Sequence, residues 1–148
     1  MNDTEQLQAA LNYCLQFSQE MLIKAGEFHP FGAAVLPDGI VTALGFDDGD
    51  EHSSPSALYA FAEAALARSA SSGEILVGAL AVNVDIPLEF GPSFPDGVRI
   101  KLESHDFSRL IYQPYRIVSS GLLKKKRVVE LGEMFAVEVP PTFFMGSQ

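Results

Sequence analysis

The chain has 148 residues, 47% of them hydrophobic and 20% charged, a balance that predicts one globular domain over residues 1–148. Its 19 acidic and 10 basic residues leave a net charge of −9, and an acidic surface repels the phosphate backbone of nucleic acids. No apolar run reaches the roughly 18 residues needed to cross a bilayer, and the first residues lack a secretory signal, so we expect a cytoplasmic protein that binds neither membrane nor nucleic acid.

Apolar residues spaced three and four apart predict an amphipathic helix from Asp3 to Ala25. Asp3 is the expected N-cap, with Gln6 three residues further on, and Gly26 is the expected left-handed residue that ends the helix. Cys14, the single cysteine, falls on the apolar stripe. We therefore interpret it as a small core residue and not as a nucleophile.

A β-hairpin follows this helix. Residues 31–36 and 40–44 predict two short strands, and Pro37-Asp38-Gly39 has the composition of a tight turn between them. Both strands are apolar on both of their faces, which indicates that helices cover the sheet that they begin.

The acidic run at residues 47–51 has the composition of a calcium-binding loop but not its spacing. An EF-hand needs a glutamate at its twelfth position, and counting from Asp47 or Asp48 gives Leu58 or Tyr59. We therefore expect a solvated loop without metal. Zinc is not expected either, because the three histidines lie in separate segments without a second ligand at zinc spacing: His29, His52 and His105.

Ser54-Pro55 predicts the start of a second helix that ends near residues 69–73. A long apolar strand is predicted over 74–86, buried on both sides at its start and solvated on one side at its end. We expect one buried cluster where the helices cover the sheet, made of Phe31, Leu58, Phe61, Leu80 and Val82.

The second half of the chain predicts strands and loops only. After an irregular linker at 87–97, the alternation of residues 98–103 predicts a half-exposed strand, with Arg99, Lys101 and Glu103 facing water. Further strands are expected at 107–117 and 128–139. Pro114 indicates an edge strand or a bulge, and Gly132 indicates a bulge.

The predicted order is α-β-β-α-β-β-β-β. Most connections are too short for crossover helices, so we expect an α+β fold with a mainly antiparallel sheet of about five or six strands and two helices packed on one face. The tail from residue 140 is expected to be irregular.

No catalytic or cofactor-binding motif is present: the chain lacks a P-loop, a G-x-G-x-x-G segment and a G-x-S-x-G elbow. We expect no cofactor, and an enzyme is less expected than a binding protein. The alternative is a small-molecule-binding protein or metal-free enzyme, for which the candidate site residues are Glu103, His105, Tyr112 and Tyr115.

The opening helix, the hairpin at 31–44 and the second helix resemble the start of cytidine deaminases. Those enzymes carry a zinc ligand and a glutamate at the start of the second helix and two more ligands as Pro-Cys-x-x-Cys. Here the helix starts with Ser54-Pro55-Ser56-Ala57, and the only cysteine is Cys14. The resemblance therefore does not extend to zinc chemistry.

A second resemblance covers most of the chain. Several segments resemble a family of small bacterial cytoplasmic proteins of unknown function with an F-x-P-F-G-A hairpin motif: residues 28–33, Asp38-Gly39, residues 47–50, Leu102-Glu103, Pro114-Tyr115 and residues 132–136. This resemblance implies a bacterial intracellular protein and supplies no functional residue.

The function that we expect is a non-enzymatic module that binds a protein partner or itself. Apolar residues are dense in segments predicted to be loop or tail, and Pro114 suggests an unprotected edge, so a homodimer is expected; the alternative is that these side chains fold back onto their own chain. These residues are Phe90, Phe94, Leu122, Leu123, Phe143 and Phe144. The basic run at 124–127 is interpreted as a solvated turn.

Overall fold

The computed structural model describes residues 1–46, 49, 53–123 and 126–145. The acidic run at 47–51 lies outside these residues except for Gly49. In the described residues the chain forms two α-helices, seven strands and one short 3₁₀ turn. In chain order they are α1 (Asp3–Ala25), β1 (Phe31–Val35), β2 (Val41–Leu44), α2 (Pro55–Ser71), β3 (Val77–Asp85), the 3₁₀ turn (Leu88–Phe90), β4 (Asp96–Ser104), β5 (Phe107–Ser120), β6 (Lys126–Leu131) and β7 (Phe135–Glu138).

All strand pairs of the sheet are antiparallel. The strands follow the order β2-β1-β3-β4-β5-β6, and β7 pairs with β5 beside β6. The predicted α+β class and element order are confirmed. The last predicted strand, 128–139, is divided into β6 and β7.

Helix α1 has the predicted bounds. Its N-cap is Asn2 and not Asp3, because the Asn2 side chain accepts a hydrogen bond of 2.8 Å from the Glu5 N–H. Gly26 ends the helix at a φ of 78° and donates its N–H to the Leu22 carbonyl. Cys14 lies in the core as predicted, and burial raises the pKa of its thiol to about 12.

The two helices cover opposite faces of the sheet. Ala79 of β3 packs in the cluster that contains the buried residues of α1, whereas Leu80, its neighbour in the strand, packs with Ala62 and Leu66 of α2. Successive side chains of a strand point to opposite faces, so the expectation that both helices lie on one face is wrong. β1 and β3 are apolar on both faces because a helix covers each face.

The predicted five-residue cluster is also wrong. Phe31 and Leu80 are buried but belong to different clusters on opposite faces. Leu58 and Val82 are only half-buried, and Phe61 is 39% exposed. The physical reason is that α2 has seven alanines and only two charged residues among its 17, so no polar stripe marks its outer side.

Strand β4 is not half-exposed as predicted. Val98, Ile100 and Leu102 are buried on the α1 side, but Lys101 and Glu103 are buried too, on the other side of the strand. The C-terminal segment at residues 142–144 lies over that side, with its backbone bonded to Glu103.

Pro114 lies in β5, between β4 and the pair β6 and β7, so it does not mark an edge strand. It lies opposite a bulge. Between the pairs Tyr115↔Leu131 and Tyr112↔Phe135, β5 has two residues and the opposing segment has three. The bulge begins at Gly132, as predicted, and the Gly132 N–H bonds to the Pro114 carbonyl at 2.9 Å.

Candidate functional site

The structure does not bring the four candidate residues of the sequence analysis together. Glu103 is buried on the α2 side of the sheet, whereas Tyr115 packs in the core cluster on the α1 side. Tyr112 is buried in an aromatic group with Phe90 and Phe135, at ring distances of 5.6 and 5.1 Å. His105 is exposed in the turn between β4 and β5. In the part of the chain that the structure describes, these four side chains therefore lie in separate places.

The Glu103 side chain binds the C-terminal segment of its own chain. Its carboxylate accepts hydrogen bonds from three consecutive backbone N–H groups, those of Thr142, Phe143 and Phe144, at 2.9 to 3.3 Å. The Lys101 ammonium lies 3.7 Å from the same carboxylate. These bonds hold the C-terminal segment on the sheet, with the Phe143 side chain buried under α2.

Charged side chains of both signs lie around the Glu103 carboxylate. The Arg99 guanidinium lies 5.4 Å from the centre of the Tyr59 ring, and Glu63 of α2 accepts a hydrogen bond of 3.1 Å from the Thr142 hydroxyl. Burial raises the pKa of Tyr59, partly offset by the neighbouring Arg99 cation. Two cations and two carboxylates thus neutralise one another, so we assign this layer to structure.

The α2 outer face is the part of α2 that the fold leaves uncovered. Only Ala62 and Leu66 of this helix are buried. The exposed residues that define the face lie on one side of the helix: Ala57, Ala60, Phe61, Ala64 and Arg68. Arg68 is the only charged residue among them, and Phe61 is the only large apolar one.

Of the six apolar residues that suggested a homodimer, four pack against their own chain, although Phe90 is still 39% exposed. Phe143 is buried, Phe90 packs on Tyr112, and the Phe94 ring lies 4.9 Å from the Arg116 guanidinium. Leu122 and Leu123 remain fully exposed, between β5 and β6. Sequence reasoning overlooked Phe61 because it assigned that residue to the core.

The basic run at 124–127 is more than a solvated turn at the positions that the structure describes. The Arg127 guanidinium donates a hydrogen bond of 3.1 Å to the Lys24 carbonyl at the end of α1. Arg127 thereby binds a carbonyl that the helix end leaves without an intrahelical partner, and its cation favours the negative end of the helix dipole. Lys124 and Lys125 lie outside the described residues.

Among the described residues, no group of three or more His, Cys, Asp or Glu side chains could hold a metal ion. No helix in the same part of the chain is long and apolar enough to cross a membrane. No known protein family, no curated protein and no solved structure matches this chain.

Proposed function

We propose that this protein is a non-enzymatic module that associates with a second copy of itself through the α2 outer face. The observation that carries the proposal is the position of Phe61, which is 39% exposed on a helix with only two charged residues. The exposed side of α2 is mostly alanine together with Phe61, which makes it more apolar than the outer side of an ordinary surface helix. Within one chain α2 is covered on one side only, and a second chain would cover the other.

The face suits a copy of itself. Around a two-fold axis at Ala64, antiparallel α2 helices place residues three and four positions before Ala64 opposite those three and four positions after it. Phe61 of each chain then lies near Arg68 of the partner subunit. A guanidinium over an aromatic ring is a favourable contact, and small residues at the axis let the two backbones approach closely.

The area of the α2 outer face sets the affinity that we expect for the dimer. Helix α2 has 17 residues and is therefore about 26 Å long, so one of its faces is smaller than the roughly 800 Å² per partner of a stable interface. Each copy also carries a net charge of −9, which opposes association. We therefore expect a dimer at micromolar concentrations that added salt strengthens, because salt screens this repulsion.

The test is sedimentation velocity over a concentration series from about 1 to 500 μM, a range around the micromolar affinities of small interfaces. The wild-type mass is expected to rise from that of one chain, 16.0 kDa, toward twice that value. Ala64→Glu places two like charges at the proposed axis and is expected to keep the protein monomeric. Asn12→Glu adds the same charge at an exposed position of α1 and is the matched control.

A third variant separates the α2 outer face from a second exposed apolar site. Leu122→Ser with Leu123→Ser removes the two fully exposed leucines between β5 and β6 and should leave the dimer unchanged. Loss of the dimer in this variant, with retention in Ala64→Glu, would place the interface at the leucines and refute the proposal. A wild-type mass that stays at one chain across the series would refute self-association altogether.

A further inference from the structure

A cleft of about 180 Å³ lies between α1 and the sheet, apart from the α2 outer face. Its walls are mainly apolar, with leucines of α1 on one side and Val98, Val129 and Leu131 of the sheet on the other. We refer to this cleft as the α1 pocket. An engineered apolar cavity of roughly 150 Å³ in another protein holds one benzene molecule, so the α1 pocket has room for a single ring.

Four polar side chains line the α1 pocket inside an otherwise apolar layer: Ser18, Gln113 and Tyr115, which are buried, and Gln19, which is half-buried. A polar group costs free energy when it is buried without a partner, so the hydrogen bonds of the three buried side chains limit what the pocket can bind.

The donors of the three buried side chains are already used. The Ser18 hydroxyl donates to the Leu15 carbonyl at 3.0 Å, and the Tyr115 hydroxyl donates to the Asn83 side-chain oxygen at 2.7 Å. The Gln113 amide nitrogen donates to the carbonyls of Pro114 and Gly132, both at 2.9 Å. The atoms of these three side chains that can still form hydrogen bonds are acceptors: the two hydroxyl oxygens and the Gln113 Oε1.

The local charge is negative. Asp85, Asp96 and Arg116 border the groove next to Tyr115, and Arg116 is paired with Glu130, so the two aspartates set the sign of the charge. Burial raises the pKa of Tyr115, and these two carboxylates raise it further, against the opposite effect of the Asn83 hydrogen bond. An anionic ligand would therefore meet unfavourable charge and three buried side chains whose donors are already used.

We propose that the α1 pocket binds a single-ring apolar molecule that carries an N–H or O–H donor and no negative charge. Phenol and benzylamine represent this class, and benzoate, with the same ring and an anionic acceptor, is the matched non-ligand. The proposal does not depend on the dimer, because the pocket and the α2 outer face lie on opposite sides of the sheet.

The test is a titration of the ¹⁵N-labelled full-length protein with phenol, benzylamine and benzoate, followed by the amide resonances of Ser18, Val129 and Leu131. Phenol and benzylamine are expected to shift these resonances saturably, and benzoate is expected to bind at least tenfold more weakly. Equal or tighter binding of benzoate, or no saturable shift with either donor ligand, would overturn the proposal.

Two variants locate the binding. Val129→Phe fills the α1 pocket and is expected to abolish binding, whereas Val128→Phe changes the adjacent residue of β6, whose side chain points to the opposite face, and should leave binding unchanged. Ser18→Ala removes one acceptor with little change in volume and should weaken phenol about fivefold, the loss of one ordinary hydrogen bond. If Val129→Phe fails to fold, Ser18→Ala provides the test: an affinity for phenol equal to that of the wild type refutes the site.

Discussion

Replacing Glu103 by glutamine tests whether a single buried carboxylate holds the C-terminal segment on the sheet. Glu103 has no exposed surface, and its two oxygens accept the N–H groups of Thr142, Phe143 and Phe144. Glutamine has nearly the same shape, but it has one acceptor oxygen in place of two and no charge. In Glu103→Gln, three N–H groups share one carbonyl oxygen, or one of them faces an amide NH₂ group.

The expected loss follows from two contributions. Hydrogen bonds to a charged group contribute about 1.5 to 3 kcal/mol, compared with about 1 kcal/mol for neutral pairs. Lys101, which is only 7% exposed, also loses its carboxylate partner, and removing one member of a buried ion pair costs about 3 to 5 kcal/mol. The Lys101 cation retains the Phe143 ring 6.0 Å away, so we expect the lower end of that range, about 3 kcal/mol.

The assay is urea unfolding at pH 7, followed by circular dichroism. The matched control is Glu130→Gln, which breaks the partly exposed pair with Arg116 and should cost less than about 1 kcal/mol. Chymotrypsin under native conditions gives a second readout, because release of the C-terminal segment exposes Phe143 to cleavage. A loss below about 1 kcal/mol, with Phe143 still protected, would refute the role assigned to Glu103.

Three further predictions concern α2, the thiol and the alkaline pH range. Leu66→Ala should cost about 2 to 4 kcal/mol in urea unfolding, and Phe61→Ala less than about 1 kcal/mol in dilute monomer; similar losses would contradict the outward position of Phe61. Because the pKa of Cys14 is about 12, a maleimide should leave the folded protein unmodified at pH 7.5 and react in urea; rapid labelling of the native chain would contradict this. The raised pKa of Tyr115 means that the folded state binds the phenolic proton more tightly than the unfolded state does. The protonated Tyr115 therefore stabilises the fold fully below pH 10, and this stabilisation is lost as the pH rises above 10. Tyr115→Phe should reduce the fall in the free energy of unfolding above pH 10, as measured by urea unfolding at several pH values. An unchanged fall would contradict the effect assigned to Tyr115.

Local patterns in the sequence determined the elements whose causes are local. The apolar spacing of α1, the left-handed Gly26 and the Ser54-Pro55 start of α2 each depend on residues within a few positions, and the structure confirms all three. The bulge at Gly132 belongs to the same group. Short-range sterics and hydrogen bonds decide these features, and their signals lie within one segment.

Tertiary structure alone decided which side of each element is covered. Helix α2 has no polar stripe to set its phase, so only docking on the sheet shows that Leu66 faces inward and Phe61 faces outward. Glu103 has the spacing of a solvent-facing residue, and it is buried because backbone N–H groups about 40 positions further on close over it. The α1 pocket likewise combines side chains from four elements, α1, β4, β5 and β6. Such contacts between distant segments leave no periodic signal in the sequence.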